Sequence, residues 1–206
     1  MIFSTSLFLL FFVVVFLIYW VVIGQIKNDN KKLKARIIFL LLASYYFYMS
    51  WNPIFILLIL FSTVVDYFAG KKIHNSDSPK QKKLFLIISL VTNLGFLAYF
   101  KYTNFFLDTI NSVSSVVSDT GTNFFLDIIL PVGISFYTFQ SMCYTIDIYY
   151  GKMKPSKDFF EFALYVTFFP QLVAGPIVRA IDFIPQLKDN RIFKKINFQL
   201  AANYFY

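Results

Sequence analysis

The sequence has little of what many enzymes use for chemistry. Its 206 residues include one cysteine, Cys143, and one histidine, His74. A lone cysteine cannot form an intrachain disulfide, and no His and Cys residues have the spacing of a metal site. Neither a glycine-rich phosphate loop nor the glycine-flanked serine of hydrolases is present. The sequence therefore gives no support to metal or nucleotide-cofactor chemistry.

Charge is also scarce. Charged residues make up 15% of the chain, whereas hydrophobic residues make up 58% and aromatic residues 21%. This balance is typical of a protein that crosses a membrane several times. The net charge of +8 does not indicate a nucleic-acid partner, because the basic residues form short clusters between apolar runs. Such clusters are signals of membrane topology.

Five apolar segments approach the roughly 20 residues that a helix needs to cross about 30 Å of hydrocarbon. They lie at about 4–24, 36–51, 53–70, 84–101 and 129–150. The first has no basic leader and no small-residue cleavage site, so it is predicted to be a retained helix and not a signal peptide. We predict an all-α, polytopic transmembrane protein in which residues 1–206 belong to a single domain.

The basic clusters orient these spans. They fall between the first and second spans, between the third and fourth, and after the fifth. Placing all three in the cytoplasm puts the N-terminus on the outer side of the membrane. The outer connection, 102–128, has apolar residues at Phe106, Ile110, Val113 and Val117. That spacing predicts a short amphipathic helix lying at the outer interface.

The stretch FFPQLVAGPIVRAIDFIPQL, residues 168–187, interrupts a further apolar run with three prolines and a glycine, and a fourth basic cluster follows it. A full crossing would put that cluster outside, against the charge rule. We therefore predict a re-entrant segment at about 157–187 that enters from the cytoplasm and returns. Backbone groups freed by the prolines must then be buried in protein or line a wet cavity.

Polar residues in and near this segment are candidates for the wall of a substrate path. Arg179 could meet a phosphate or carboxylate of the substrate. The alternative is that these residues only shape the loop and mediate helix contacts. The candidates are Gln171, Gly175, Pro176 and Arg179 in the loop, and Ser135 and Thr138 on the fifth span.

Two carboxylates, Asp66 and Asp147, lie inside predicted spans. An ionisable residue within a span is a functional candidate by default. Both are near the predicted cytoplasmic ends, so we expect Lys71, Lys72 or Lys152 to pair with them. The alternative is a role at the entrance for a substrate.

Three parts of the sequence carry a family resemblance. The run LPVGISFYTFQSMCYTIDIYYGKMKPSKDFFEFALYVTFFPQLVAGPIVRAIDFIPQL, residues 130–187, resembles the signature region of the membrane-bound O-acyltransferases (MBOAT). The N-terminal FSTSLFLLFF and the run LLASYYFYMSWNPIFILLILFSTVVDYFAG at 41–70 are similar to the same family. The likeness is to the bacterial branch that includes the alginate O-acetyltransferase membrane subunit.

The resemblance implies part of an MBOAT fold and an O-acetyltransferase activity. The family moves an acyl group from a cytoplasmic thioester donor, such as acetyl-CoA, toward hydroxyls of an exported polysaccharide or an acyl-relay protein. The donor is a substrate, so no bound cofactor is expected. Membrane lipid surrounds the protein, and no nucleic acid is involved.

The resemblance also implies a catalytic histidine well downstream of the VAGPIVR run. His74 does not match that position, so the catalytic residue is expected beyond Tyr206. We therefore expect an N-terminal portion of the enzyme that is inactive by itself. Three alternatives stay open: the branch that passes D-alanine toward teichoic acids, a transporter or lipid-flippase subunit, and a stable non-catalytic membrane protein.

Overall fold

The computed structural model of the chain describes residues 5–117, 128–172, 175 and 178–188, with the side chains of 113–117 left out. These residues form helices and connecting loops, and the described ranges contain no strand. The helices are α1 (Ser6–Leu17), α2 (Asp29–Met49), α3 (Phe55–Asn75), α4 (Pro79–Val117), α5 (Ile134–Tyr149), α6 (Phe159–Thr167), α7 (Phe169–Leu172) and α8 (Ala180–Lys188). Helix α1 continues through a π-helical turn, Ile18–Val22, and a 3-10 turn, Ile23–Gln25.

Polar side chains set several of the helix starts. Asn28 accepts a hydrogen bond from the Lys31 amide (3.1 Å) at the start of α2, and Asp158 accepts one from the Phe160 amide (2.9 Å) at the start of α6. These caps satisfy backbone donors that have no partner within the helix. In the turn between α2 and α3, Asn52 accepts from the Ile54 amide across Pro53.

The protein has the character of an all-α membrane protein. Two helical stretches are long and apolar enough to cross a membrane, Ser6–Gln25 and Pro79–Ser112. Large apolar side chains such as Leu9, Leu57 and Val91 are more than 60% exposed. An apolar surface of this kind is compatible with lipid and unfavourable in water. Helices also lie over the other predicted spans, and their crossing of the membrane stays a prediction.

Helix α4 differs from the sequence prediction. It is one continuous helix of 39 residues, about 58 Å long at 1.5 Å per residue. The prediction of a separate amphipathic helix within 102–128 is wrong, because the helix that begins at Pro79 continues to Val117. No glycine or proline lies between Phe96 and Val117 to end it. The chain returns to α4 at Asn104, whose side-chain amide donates to the Ile128 carbonyl (2.9 Å).

Helices α3, α4 and α5 pack side by side, and α6 fills the space between this group and α2. Phe162, Leu164 and Tyr165 of α6 are completely buried. Gly70 lets α3 approach α5 closely, because a Cβ there would come within 2.9 Å of Tyr144 and Ile148 side-chain atoms. Helices α1 and α2 run antiparallel, with the Phe8 ring against Phe47 near one end and Tyr19 against Arg36 near the other.

After α6 the chain reverses. Helix α6 ends at Thr167, α7 follows directly, and α8 leads back, so that Lys188 Nζ at its end lies 3.3 Å from Glu161 Oε2 near the start of α6. We call the described residues of 159–188 the hairpin. Its two longer arms have nine residues each, or about 13 Å of helix. Either arm alone is too short to cross about 30 Å of hydrocarbon.

The tip of the hairpin rests against the start of α5 at a glycine. Gly133 has φ +75°, and a Cβ there would lie 2.5 Å from the Leu172 carbonyl oxygen. We predict that Gly133→Ala lowers the unfolding temperature in detergent, because the left-handed backbone alone costs about 1–2 kcal/mol and the carbonyl must also move. Gly95→Ala is the matched control, since that helical glycine has open space around it. Equal unfolding temperatures for the two variants would contradict this packing.

Candidate functional site

The candidate site is the interface between α5 and the hairpin. Gly133, Gln140 and Asp147 contact the hairpin, and they are seven residues apart. Because an α-helix has 3.6 residues per turn, a seven-residue spacing keeps them on nearly the same face. The N-cap and one face of α5 therefore form a line of positions that contacts the hairpin at Leu172, Tyr165 and Arg179.

The middle of this line is a hydrogen-bonded group built on Tyr165. The Gln140 side-chain amide donates to the Tyr165 carbonyl (2.7 Å). The Tyr165 hydroxyl in turn lies 3.0 Å from the Gln140 carbonyl and 3.1 Å from the Val178 carbonyl, to either of which it can donate. This group joins α5 to both arms of the hairpin.

The end of the line is an ion pair. Arg179 donates from Nε to Asp147 Oδ2 (3.2 Å) and from Nη2 to Asp147 Oδ1. The Asp147 side chain is 3% exposed and that of Arg179 is 47% exposed. The carboxylate is therefore held inside the protein while part of the guanidinium faces outward. Its Nη1 group makes no described hydrogen bond and can still donate to an anion.

The predicted pairing of Asp147 with a lysine is wrong. Lys152 Nζ instead lies over the Tyr150 ring, 5.8 Å from its centre. The arginine is 32 positions away along the chain, so local spacing could not reveal it. Its planar fork also matches a carboxylate with two parallel hydrogen bonds, which an ammonium group cannot do.

Asp66 is also paired differently from the prediction. It is 0% exposed, and Ser89 Oγ donates to its Oδ1 (2.6 Å) while Asn93 Nδ2 donates to both of its oxygens (2.9 and 2.8 Å). The Ser141 hydroxyl donates to Oδ2. Lys71 lies over the Tyr67 ring instead. The lysine pairing is wrong because the side chain points into the bundle, where α4 and α5 provide neutral donors.

Two described backbone amides at the break of the hairpin are satisfied by protein groups. The Phe169 amide donates to Ser44 Oγ of α2 (3.2 Å), and the Gly175 amide donates to the Gln171 carbonyl (3.2 Å). Gly175 also lies so close to Gln171 that a Cβ would be 2.6 Å from its Cα. Burial with such partners is the condition under which non-helical backbone is tolerated at membrane depth.

The described path candidates lie at several places in the structure. Gln171 lines a cavity between α1, α2 and the hairpin, whereas Arg179 faces Asp147. Thr138 is buried on α5, and Ser135 is half-buried one turn earlier. Pro176 lies outside the described residues. His74, in the last turn of α3, is exposed.

Sequence reasoning missed most of the residues that hold the site together. Gln140 and Tyr165 were not candidates, and neither were Ser89 and Ser141 around Asp66. A detectable signal was the seven-residue recurrence of Gly133, Gln140 and Asp147 from the N-cap of α5 to near its end. In the described ranges, no three His, Cys, Asp or Glu side chains come together as a metal site would require.

Comparison with known proteins gives the site a context. The chain is 37% identical, over 90% of its length, to a probable alginate O-acetylase AlgI from Pseudomonas aeruginosa. It is 36% identical over 92% of its length to a peptidoglycan O-acetyltransferase from Helicobacter pylori. A probable alginate O-acetylase from Pseudomonas syringae is 35% identical over the whole chain. The chain belongs to the membrane-bound O-acyltransferase family. No family model and no solved structure matches it.

The match covers only part of these MBOAT relatives. The chain spans 34 to 39% of the length of the three proteins named above. The α5–hairpin interface therefore lies in a chain that corresponds to somewhat more than a third of the length of such a protein.

Asp66 should be a main determinant of stability in this MBOAT chain. Asp66→Ala removes the acceptor that Ser89, Asn93 and Ser141 share. Asn93 keeps the Ser89 carbonyl (2.9 Å) and Ser89 keeps Thr145 Oγ1 (3.0 Å), whereas Ser141 loses its described acceptor. Because an unsatisfied buried group costs about 1–3 kcal/mol, we predict a loss of about that size in unfolding free energy, measured by denaturation in micelles. Asp108→Ala, at an exposed position of α4, is the control and should change stability little. Similar stabilities for both variants would show that the Asp66 contacts contribute nothing.

Proposed function

We propose that the chain is part of a multi-pass membrane O-acetyltransferase of the bacterial inner membrane. It would help to carry an acetyl group from a cytoplasmic thioester donor, such as acetyl-CoA, toward hydroxyls of an exported polysaccharide. The observation that carries this proposal is the 35–37% identity across nearly the whole chain to proteins named as O-acetylases or O-acetyltransferases. Those names favour acetyl transfer over D-alanine transfer and over a transporter.

The role we propose for this part is one wall of the transfer path, with the hairpin as a re-entrant element. Both hairpin arms are too short to span, and their ends are joined by the Glu161 and Lys188 ion pair. A hairpin of this shape enters and leaves on the same side. With the basic loops in the cytoplasm, that side is the donor side, and an acyl-relay protein or the polysaccharide would be met on the other.

Arg179 is the residue of this wall that we expect to meet the donor. Asp147 fixes its guanidinium through two hydrogen bonds and leaves donors facing outward. A thioester donor carries phosphate groups, and a partly exposed arginine is suited to bind them. The proton transfer itself needs a base. The exposed His74, in the last turn of α3, does not match the position of the family's catalytic histidine, so we propose that another part of the enzyme supplies the base.

A chimeric enzyme tests this function. The matching third of the Pseudomonas aeruginosa protein is replaced by this chain, and O-acetyl groups on alginate are measured in cells that lack their own enzyme. We expect acetylation to be restored, and Arg179→Gln to lower it at least tenfold. Lys80→Gln, at an exposed position, should have no effect. A stable, membrane-inserted chimera without acetylation would contradict the proposal.

The double variant Arg179→Gln with Asp147→Asn separates folding from donor binding. Losing Arg179 alone leaves a buried, unpaired carboxylate, which is strongly destabilising. The double variant removes that carboxylate, so the chimera should regain stability but not acetylation. If acetylation also returns, Arg179 acts only by holding the hairpin.

The proposed topology can be tested with single cysteines. In a Cys143→Ser background, Asn75→Cys and Lys188→Cys should react with an impermeant thiol reagent only from the cytoplasmic side. Asn52→Cys, in the turn between α2 and α3, should react only from outside. Reaction of position 188 from outside would show that the hairpin crosses the membrane.

A further inference from the structure

A second feature of the structure lies away from the α5 interface. A cavity of about 470 Å³ opens between α1, α2 and the hairpin. This volume is within the roughly 300–1,000 Å³ typical of small-molecule sites. Most of its wall is apolar, with Phe12, Phe16, Leu40, Phe169 and Phe183 among the lining residues. An apolar chain would fit such a wall, because it would meet hydrocarbon and aromatic surfaces on most sides.

The cavity contains one charged side chain, Arg36, among its described lining residues. Arg36 is only 7% exposed, and its Nε has no hydrogen-bond partner in the described part of the chain. No described carboxylate forms an ion pair with it either. A buried cation without a counter-ion is strongly disfavoured, so the site as described is short of one negative charge.

Aromatic contacts do not supply that charge. The Arg36 guanidinium lies 4.8 Å from the centre of the Tyr19 ring and 5.5 Å from that of Trp20, both in the π-helical turn that follows α1. Contact with ring faces stabilises the positive charge. The five N–H donors, however, lie in the plane of the guanidinium and need oxygen acceptors. The rings therefore orient Arg36 and leave its donors for a ligand.

The position of Arg36 suits a lipid head group. It lies seven residues from the start of α2, which is about 10 Å along the helix, and Lys31, Lys32 and Lys34 precede it. Basic residues of this kind gather where lipid head groups meet the membrane surface. The apolar wall extends from Arg36 past Leu40 of α2 toward Phe169 at the hairpin tip. The cavity thus has a cationic end and an apolar body.

We propose that this cavity binds an anionic phospholipid, with its phosphate on Arg36 and part of an acyl chain among the aromatic side chains. A planar guanidinium binds phosphate oxygens through paired hydrogen bonds. A nucleotide thioester fits less well, because it carries several phosphates and a polar base whereas one cation lines the cavity. The bound lipid would fill the space between α1 and the hairpin. This role is independent of acetyl transfer.

Native mass spectrometry of the 206-residue chain in a non-ionic detergent tests the proposal. The probes are palmitoyl-oleoyl phosphatidylglycerol, diacylglycerol with the same chains, and inorganic phosphate. We expect one phosphatidylglycerol molecule to stay bound after the detergent is removed. Diacylglycerol, which lacks the phosphate, should be retained at least tenfold less, and inorganic phosphate alone should not be retained.

Variants locate the site. Arg36→Gln should weaken phosphatidylglycerol retention at least tenfold, and Arg36→Lys should retain an intermediate amount, because a point charge replaces the fork. Lys34→Gln is the matched control: it removes the same charge two residues away at an exposed position and should bind as the unchanged chain does. Size-exclusion profiles report folding. If Arg36→Gln aggregates, the proposal is tested on the unchanged chain alone, by comparing its retention of phosphatidylglycerol with its retention of diacylglycerol.

Three results would overturn the proposal. Equal retention by Arg36→Gln and the unchanged chain would place the lipid elsewhere. Retention of inorganic phosphate as strongly as of the lipid would make this an anion site without a lipid. No adduct on the unchanged chain would mean that another part of the polypeptide, or nothing, occupies the cavity.

Discussion

The carboxylate of Asp66 is the constraint on which the helical bundle depends. It is completely buried, and side chains of α4 and α5 donate hydrogen bonds to it. In a membrane, apolar side chains give helices little preference for one rotation over another, because lipid solvates them equally well. A buried polar group limits the choice, since other rotations leave it without donors. Asp66 thereby fixes which faces of α3, α4 and α5 meet.

Once α5 is oriented in this way, a neighbouring face of the helix is available to the hairpin. Ser141 faces Asp66, whereas Gln140 and Asp147 face the two arms of the hairpin. The same helix therefore connects an internal polar cluster with a partly exposed ion pair. Gly133, at its start, adds a close approach to the Leu172 carbonyl that no larger residue permits without movement. Helix α5 thus provides polar contacts to the hairpin, whereas α2 packs along α6 and α7 and contributes Ser44 at the tip.

The sequence was sufficient to predict where the helices lie. It was insufficient to predict which side chains pair between them. Long apolar runs mark helices because the backbone must satisfy its own hydrogen bonds in lipid, and the prolines and basic cluster around 168–187 indicated the chain reversal. The continuation of α4 to Val117 could also have been read from the lack of glycine and proline there. The partners of Asp66 and Asp147 could not, because they are 23 to 75 positions away. Proximity along the sequence favoured lysines as partners of the two carboxylates. The rotation of each helix instead brings other residues to them.

The pairing of the two hairpin ends has a consequence for how the protein is made. Glu161 and Lys188 lie together, so in the proposed re-entrant arrangement the hairpin would join helices that are already in place without carrying Lys188 across the membrane. Near the break in the hairpin, Arg179 is the described residue with a charged side chain, and Asp147 of α5 neutralises that charge. In the proposed re-entrant arrangement, insertion of this segment would be a docking step that follows formation of the bundle. Synthesis from the N-terminus is compatible with that order, because α5 leaves the ribosome first.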